Sequence, residues 1–156
     1  MELLAKAEHC LRTADHIIYI TYPLLKEKML IKKILDEVYS GIVFIVSAIT
    51  KYESAYKRAE EKKELKEQFQ QFLRCAPRFN VAPSELRGLS ELIGLAERFH
   101  SSSIDFVRRE KLVFMNNGFR TETVGLDDLK KYLTIAKTVL LKIKKKIEEE
   151  RTALFK

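Results

Sequence analysis

The chain has 156 residues, of which 46% are hydrophobic and 33% are charged, and its net charge is +7. This composition is typical of a single folded domain over residues 1–156, and it excludes an intrinsically disordered chain. No apolar run approaches the roughly 18 to 20 residues that span a bilayer, so we predict that the protein has no membrane partner.

The N-terminus and the cysteines predict a cytoplasmic protein. The first ten residues, MELLAKAEHC, lack the basic-then-apolar order of a secretory signal. Cys10 and Cys75 lie far apart in the sequence and form no CxxC motif, which is typical of reduced thiols. Abundant Lys and Glu and the absence of Trp are also typical of heat-adapted proteins.

The first two helices are predicted on either side of Pro23. The first spans about residues 2–20 and ends at Thr21-Tyr22-Pro23, because proline disfavours helical backbone at the residue before it. The second begins near residues 24–27 and is apolar nearly all round, so other elements must surround it. Gly41 within it either permits the close approach of a neighbouring helix, which we prefer, or kinks the helix. Its inner face repeats at spacings of three and four and comprises Leu35, Val38, Ile42, Ile45, Ile49, Tyr52 and Tyr56.

The next turn and the two helices after it are predicted from interruptions in the apolar pattern. The charged stretch at residues 57–64 predicts a turn, although a continuous solvated helix has the same signature. A third helix then covers about residues 60–76, with Leu65, Phe69, Phe72 and Leu73 inward. A fourth helix begins at Pro83 and ends at Ser101, and its glycines, Gly88 and Gly94, are interpreted as points of crowding against a neighbour.

A β-hairpin is predicted at about residues 106–124, around Asn117-Gly118. This dipeptide favours a two-residue turn, since both of its positions require positive φ. In that register Phe114 faces Thr121 and Leu112 faces Thr123. Phe106 and Val107 are candidates for a third strand.

The last helix is predicted from Gly125 to near Leu154, and its period and length match those of the central helix. We therefore expect the two long helices to be neighbours at a shallow crossing angle. The tail after Lys144 either lies along the domain edge or projects to pair with another chain. The predicted fold is mainly all-α: a five-helix bundle with two long heptad-patterned helices and a small β-hairpin before the last helix.

The sequence predicts no catalytic residues, no metal site and no cofactor. His9 and His16 are seven residues apart, whereas helical metal pairs require spacings of three or four. His100, the serines at residues 101–103 and Asp105 contain the residue types of a Ser/His/Asp site, but no strained nucleophile turn accompanies them.

The predicted helical architecture, together with Arg12 and His16, resembles that of the HEPN family of helical bundles. Some members of that family are RNases that use an arginine and a histidine four to six residues apart. Here three residues separate Arg12 from His16, and the residue after the arginine is Thr13, where the family usually has Asn, Asp or His. The resemblance covers about the first half of the chain and implies a role in RNA processing.

The hairpin region carries the candidate functional residues. Phenylalanines are interleaved with its basic side chains, an arrangement that allows phosphate contact and base stacking. The alternatives are a solvated charged hairpin and a strand edge that pairs with another chain. The candidate nucleic-acid-binding residues are Arg108, Arg109, Lys111, Arg120, Lys130 and Lys131.

The function predicted from these patterns is that of a non-enzymatic structural or protein-interaction module. The long heptad-like helices predict a homodimer. The alternative is an RNA-binding or HEPN-like RNA-processing protein that uses the basic hairpin, for which an acidic partner or RNA is expected.

Overall fold

The structure is a computed structural model that describes residues 2–58 and 60–155, which are mostly helical. The described helices are α1 (Glu2–His16), α2 (Met29–Ala55), α3 (Leu65–Cys75), α4 (Pro83–His100) and α5 (Leu126–Leu154). Three strands lie between α4 and α5, namely β1 (Asp105–Arg108), β2 (Lys111–Met115) and β3 (Thr121–Gly125). The prediction of a mainly helical fold with a small β element before the last helix is confirmed.

The helical segment that begins with α1 does not stop at Thr21-Tyr22-Pro23 but continues through Pro23 to Leu25, so the predicted end was wrong. The chain continues through a π-helix, Ile17–Thr21, into a last α-helical turn, Tyr22–Leu25. In a regular α-helix the proline ring would collide with the carbonyl of Tyr19, four residues earlier. A π-helical turn relieves this collision because its hydrogen bonds reach back five residues, and the Tyr22 N–H donates to the carbonyl of Ile17.

α2 is packed against each of α1, α3, α4 and α5. The residues predicted for its inner face are buried from Leu35 to Tyr52. The last of them, Tyr56, lies after the end of the helix and is 45% exposed. A Cβ atom on Gly41 would lie 2.6 Å from Cδ2 of Leu11, so this glycine permits close packing of α1. Gly88 of α4 has the same role, because a Cβ atom there would lie 2.7 Å from Cδ1 of Ile135 on α5.

The two long helices contact each other within one chain. α5 packs against α1, α2 and α4, and its inner residues from Leu126 to Ile143 are buried. Further along the helix, Glu150 still contacts Tyr52 of α2, so the tail lies along the domain to at least this residue. Residues 151–155 are exposed. The apolar faces that suggested pairing between chains are therefore covered by their own chain.

The predicted interruption between α2 and α3 is present. Residues 56–58 and 60–64 are not helical, whereas Ala59 lies outside the described residues. α3 begins at Leu65 rather than at residue 60, and it is followed by a 3-10 helix, Ala76–Phe79. Of the four residues predicted to face inward on α3, Phe72 is buried and the other three are half-buried.

The sheet has the antiparallel order β1-β2-β3, so the predicted third strand is confirmed. The predicted register of β2 and β3 was wrong by one residue. Leu112 faces Val124 and Phe114 faces Glu122, instead of the two threonines. Because side chains alternate along a strand, this shift places Val124 on the buried face of the sheet.

The register differs because the hairpin loop has three residues rather than two. The Asn116 side chain accepts hydrogen bonds from the backbone N–H groups of Gly118 (2.9 Å) and Arg120 (3.2 Å). The Asn116 N–H also donates to the carbonyl of Arg120 at 2.9 Å, which closes the loop one residue later than predicted. Phe119, with φ of 59°, takes the left-handed position that such a loop requires at its end.

Two substitutions in this loop test its geometry. Gly118 does not have a positive φ, so Gly118→Ala is expected to change the free energy of unfolding by less than about 0.5 kcal/mol. Phe119 is 86% exposed and has a left-handed backbone, so Phe119→Gly is expected to raise that free energy by about 0.5 to 1 kcal/mol. Urea unfolding measures the free energy of unfolding of both variants. A large loss of stability in Gly118→Ala would instead favour the two-residue turn.

Candidate interaction surface

Five large apolar side chains are exposed where α1 turns into α2. The run at residues 17–25, IIYITYPLL, is apolar on both its inner and its outer side: Ile17, Ile18 and Tyr22 are buried, and their neighbours face solvent. Exposed apolar groups concentrated in one place mark a binding surface. We call them the corner patch, which comprises Tyr19 (52% exposed), Ile20 (51%), Leu24 (79%), Leu25 (60%) and Met29 (73%).

The π-helix that follows α1 carries Tyr19 and Ile20 of this patch, and the α-helical turn after it carries Leu24 and Leu25. Ile20 and Leu24 are four residues apart, so they lie on one side of this helical segment. The helix then ends at Lys26, whose left-handed backbone (φ of 50°) turns the chain toward Met29. π-Helical turns are rare and occur frequently at functional sites, which supports the same assignment.

The β1–β2 turn and the N-terminus of α5 border the corner patch. The Lys130 ammonium lies 5.5 Å from the centre of the Tyr19 ring and 4.0 Å from a carboxylate oxygen of Asp127. The Leu126 N–H donates to the carbonyl of Glu110 at 3.0 Å. Burial raises the pKa of Tyr22, and the nearby carboxylate of Glu110 raises this pKa further. Charged groups of both signs therefore lie near Tyr19 and Tyr22.

The turn between β1 and β2 holds its two residues in an unfavourable backbone conformation. Arg109 has φ of 51° and Glu110 has φ of 63°, which is the geometry of a two-residue hairpin turn that favours Asn and Gly. Such a conformation costs on the order of 1 kcal/mol or more per residue, and it is found most often at functional sites. Both side chains are held exposed at this end of the sheet.

The structure separates Arg120 from the other basic candidate residues. Arg108, Arg109 and Lys111 are exposed at the β1–β2 end of the sheet, whereas Arg120 lies in the loop at the opposite end. In the described part of the chain none of these four forms a salt bridge. The other two lie on α5, where Lys130 covers Tyr19 and Lys131 lines a groove beside α4.

The phenylalanines of the sheet are also separated. Phe106 and Phe119 are exposed, at 52% and 86%, but they lie in β1 and in the β2–β3 loop, respectively. Phe114 is 1% exposed, and its ring packs edge-on against Phe99 with 5.5 Å between the ring centres. Only the first two are therefore accessible for stacking against a base.

The residues considered for nucleophilic catalysis do not converge. His100 Nε2 lies 2.7 Å from a carboxylate oxygen of Asp36, not of Asp105, which pairs with Lys32. The hydroxyl of Ser101 donates to the carbonyl of Glu97 at 3.2 Å, and that of Ser102 donates to the carbonyl of Phe99 at 2.7 Å. These serines therefore satisfy carbonyls at the end of α4.

Arg12 and His16 each have a separate partner on the first helix. Arg12 pairs with Glu8, one turn earlier, at 2.6 Å, and its side chain is 77% exposed. His16 Nδ1 lies 3.2 Å from the Thr21 hydroxyl, in the π-helical segment that follows. This arrangement gives the RNase prediction no added support.

Neither a metal site nor a spanning segment is found in residues 2–58 and 60–155. No three His, Cys, Asp or Glu side chains there are grouped so that they would hold a metal ion. None of α1–α5 combines the length and the apolar character needed to cross a bilayer.

A partly buried ionic cluster lies at the C-terminal end of α2. Its members are Tyr52, Glu53, Arg58, Arg78 and Glu150. Glu53 is 2% exposed and pairs with both Arg58, at 2.8 Å, and Arg78. Arg78 also pairs with Glu150, which accepts a hydrogen bond from the Tyr52 hydroxyl. The cluster joins α2, the 3-10 helix and α5 through charges that satisfy one another, so its role is structural.

These contacts shift two pKa values in opposite directions. The pKa of Tyr52 is raised to about 12, mainly by burial and next by the hydrogen bond to Glu150. Burial alone would raise the pKa of Glu150, but the Tyr52 hydrogen bond and the positive charges of Arg78 and Arg58 outweigh it, and this pKa is lowered. Glu150 therefore stabilises the fold while it is ionised.

The stability of the fold is expected to depend on acid through Glu150. Because the folded pKa of Glu150 lies below its ordinary value of 4.5, its stabilising effect is present above that pH and is lost as the pH falls through the folded pKa. Glu150→Gln is expected to lower the free energy of unfolding at neutral pH by about 1 to 2 kcal/mol and to make it less sensitive to acid. Urea unfolding at stepwise lower pH measures this, with the exposed Glu149→Gln as the control. An acid dependence equal to that of the unsubstituted protein would contradict the assignment.

Comparison with models of known protein families, with curated proteins and with solved structures gave no match.

Proposed function

We propose that the protein is a non-enzymatic helical module that binds other proteins through the corner patch. One observation carries this proposal: five large apolar side chains, each more than half exposed, lie within eleven residues of the chain. Soluble domains rarely expose apolar groups in one place unless another molecule covers them. Protein interfaces typically have an apolar centre and a polar rim, and the position of Lys130 and Asp127 beside Tyr19 supports such an arrangement here.

The scaffold that presents the patch is proposed to be a helical bundle with α2 at its centre. The contacts of α2 with all four other helices support this arrangement, and a shallow crossing of α2 and α5 agrees with their contact within one chain. Buried Ile17, Ile18 and Tyr22 fix the patch to this scaffold. Cys10 and Cys75 are free thiols, which supports a cytoplasmic location.

Site-specific crosslinking in the producing cells tests this proposal. A photoreactive amino acid at Leu24 is expected to attach covalently to a defined protein, because this side chain is 79% exposed at the centre of the patch. The matched control places the same group at Leu141 on α5, which is 68% exposed but lies outside the patch. Mass spectrometry of the crosslinked products identifies the attached proteins. Identical products at both positions would contradict the proposal.

A second candidate function is nucleic-acid binding at the β1–β2 end of the sheet. The observation that favours it is the exposure of Arg108, Arg109 and Lys111, none of which forms a salt bridge in the described part of the chain. Phe106, 52% exposed on the same strand as Arg108, offers a ring for stacking. Glu110 in the same turn opposes this function, so we place it second.

Fluorescence anisotropy with single-stranded RNA tests this second function. If the β1–β2 end binds phosphate, Arg109→Glu combined with Lys111→Glu is expected to weaken binding about tenfold or more at low salt. Arg120→Glu, at the opposite end of the sheet, is the matched control and is expected to have a much smaller effect. Equal effects of the two changes, or no binding at low salt, would contradict this function.

A further inference from the structure

We infer that the outer face of the three-stranded sheet binds single-stranded nucleic acid, with a phosphate group at its basic end and a base stacked on Phe106. The inference rests on the second candidate function, because it names the surface and the form of nucleic acid for that function. The outer face is the side of the sheet turned away from the helices, and it carries Ile104, Phe106, Arg108, Lys111, Val113, Met115, Thr121 and Thr123.

The strand register fixes which side chains share this face. Side chains alternate along a strand, and residues paired across antiparallel strands point to the same side. The inner side of the sheet is buried in the core and carries Leu112, Phe114 and Val124. On the outer side Val113 and Met115 are half-buried, and the other side chains of the outer face are exposed. The outer face is therefore open to solvent.

Two positive charges lie directly opposite each other at one end of the outer face. Arg108 pairs with Lys111 across β1 and β2, and both side chains are exposed. Like charges at paired positions destabilise a sheet. Within residues 2–58 and 60–155 neither side chain forms a salt bridge. An anion bound between them would remove the repulsion, so this end of the face is suited to a phosphate group.

The side chains of the outer face include no carboxylate. The acidic residues of the strands, Asp105 and Glu122, fall on the inner side of the sheet. There Asp105 pairs with Lys32, and Glu122 accepts a hydrogen bond from Arg98 at 2.8 Å. Glu110 lies in the turn and not on a strand. The charge of the outer face is therefore positive only, although both signs are present in the turn beside it.

The carboxylates at the start of α5, next to this end of the sheet, already have partners. Asp128 accepts a hydrogen bond from the Gly125 N–H at 2.8 Å. Asp127 lies 4.0 Å from the ammonium of Lys130. Neither forms a salt bridge with Lys111 in the described part of the chain, so the positive charge of this lysine is not neutralised there.

An exposed aromatic ring lies beside the two positive charges. Phe106 precedes Arg108 by two residues, so the two side chains lie on one side of β1 at positions about 6.6 Å apart along the strand. Val113 and Thr123 continue the row of Phe106 across β2 and β3. A base can stack on such a ring while its phosphate contacts the neighbouring cations. A duplex keeps its bases stacked on one another, so this surface favours a single strand.

The remaining apolar side chains extend the surface away from its basic end. Ile104 is 56% exposed, and its carbonyl accepts a hydrogen bond from the Met115 N–H at 3.1 Å, which places these two residues side by side. An uncharged protein surface could cover them, but it would leave the repulsion between Arg108 and Lys111 in place. A nucleic acid satisfies both parts of the face, because it supplies phosphates as well as flat bases.

Fluorescence anisotropy with a short single-stranded RNA and with the duplex of the same sequence tests the inference. The full-length protein is expected to bind the single strand about tenfold or more tightly than the duplex. Phe106→Thr is expected to weaken binding of the single strand about tenfold, because the stacking ring is lost. Phe155→Thr is the matched control, since this ring is 84% exposed but lies outside the sheet, and it is expected to leave the affinity unchanged.

A second variant tests the charge of the face without removing a ring. Thr123→Glu places a carboxylate in the row of Phe106 and is expected to weaken binding of the single strand about tenfold or more. Thr152→Glu adds the same charge at an exposed position of α5 and is expected to have little effect. Both Phe106 and Thr123 are exposed, so the variants are expected to fold, and circular dichroism melts check this.

The outcomes separate this inference from the second candidate function. Equal binding of single strand and duplex overturns the inference, and so does unchanged binding in Phe106→Thr and Thr123→Glu. If Arg109→Glu combined with Lys111→Glu still weakens binding in that case, the second function stands with phosphate contacts at the turn alone. If no RNA binds at low salt, both are wrong. Binding to phosphatidylserine vesicles in place of RNA, lost in Phe106→Thr, would also overturn the inference and assign the face to a membrane surface.

Discussion

The burial of α2 is the constraint on which the rest of the structure depends. This helix is apolar on nearly all sides, so leaving any side in water would cost hydrophobic free energy, and α1, α3, α4 and α5 each cover part of it. Close covering requires small residues at the tightest contact, which explains why Gly41 lies against Leu11. The partly buried ionic cluster completes the covering at the C-terminal end of α2, where the side chains become polar.

The corner patch is a consequence of how α1 reaches the N-terminal end of α2. A helix ending before Pro23 would leave Tyr22 without its buried position, whereas the π-helical turn carries α1 past the proline and buries Tyr22. The same turn leaves Tyr19, Ile20 and Leu24 facing solvent. One local distortion therefore closes the core on its inner side and creates the proposed binding surface on its outer side.

The charges around this surface bear on the two proposed functions. The β1–β2 turn and the first turn of α5 supply carboxylates as well as basic groups, and their proximity follows from the hydrogen bond between Leu126 and Glu110. This mixture weakens electrostatic attraction for nucleic acid and favours a partner with charges of both signs. Arg120, which the sequence placed with the other basic residues, lies at the far end of the sheet.

The amino-acid sequence alone determined the order of the helices, although not all of their ends, and also the buried face of α2 from Leu35 to Tyr52 and the third strand, because apolar spacing acts locally. It did not determine the π-helical segment after α1, because tertiary packing overrode the preference of Pro23 for ending a helix. It did not determine the register of β3 either, because the hydrogen bonds of the Asn116 side chain overrode the preference of Asn117-Gly118 for a two-residue turn. It also did not reveal the corner patch, because an exposed Leu24 and a buried Ile18 look alike in a sequence. Only the tertiary structure decides which side of an apolar helix is covered, since coverage depends on neighbours that are distant along the chain.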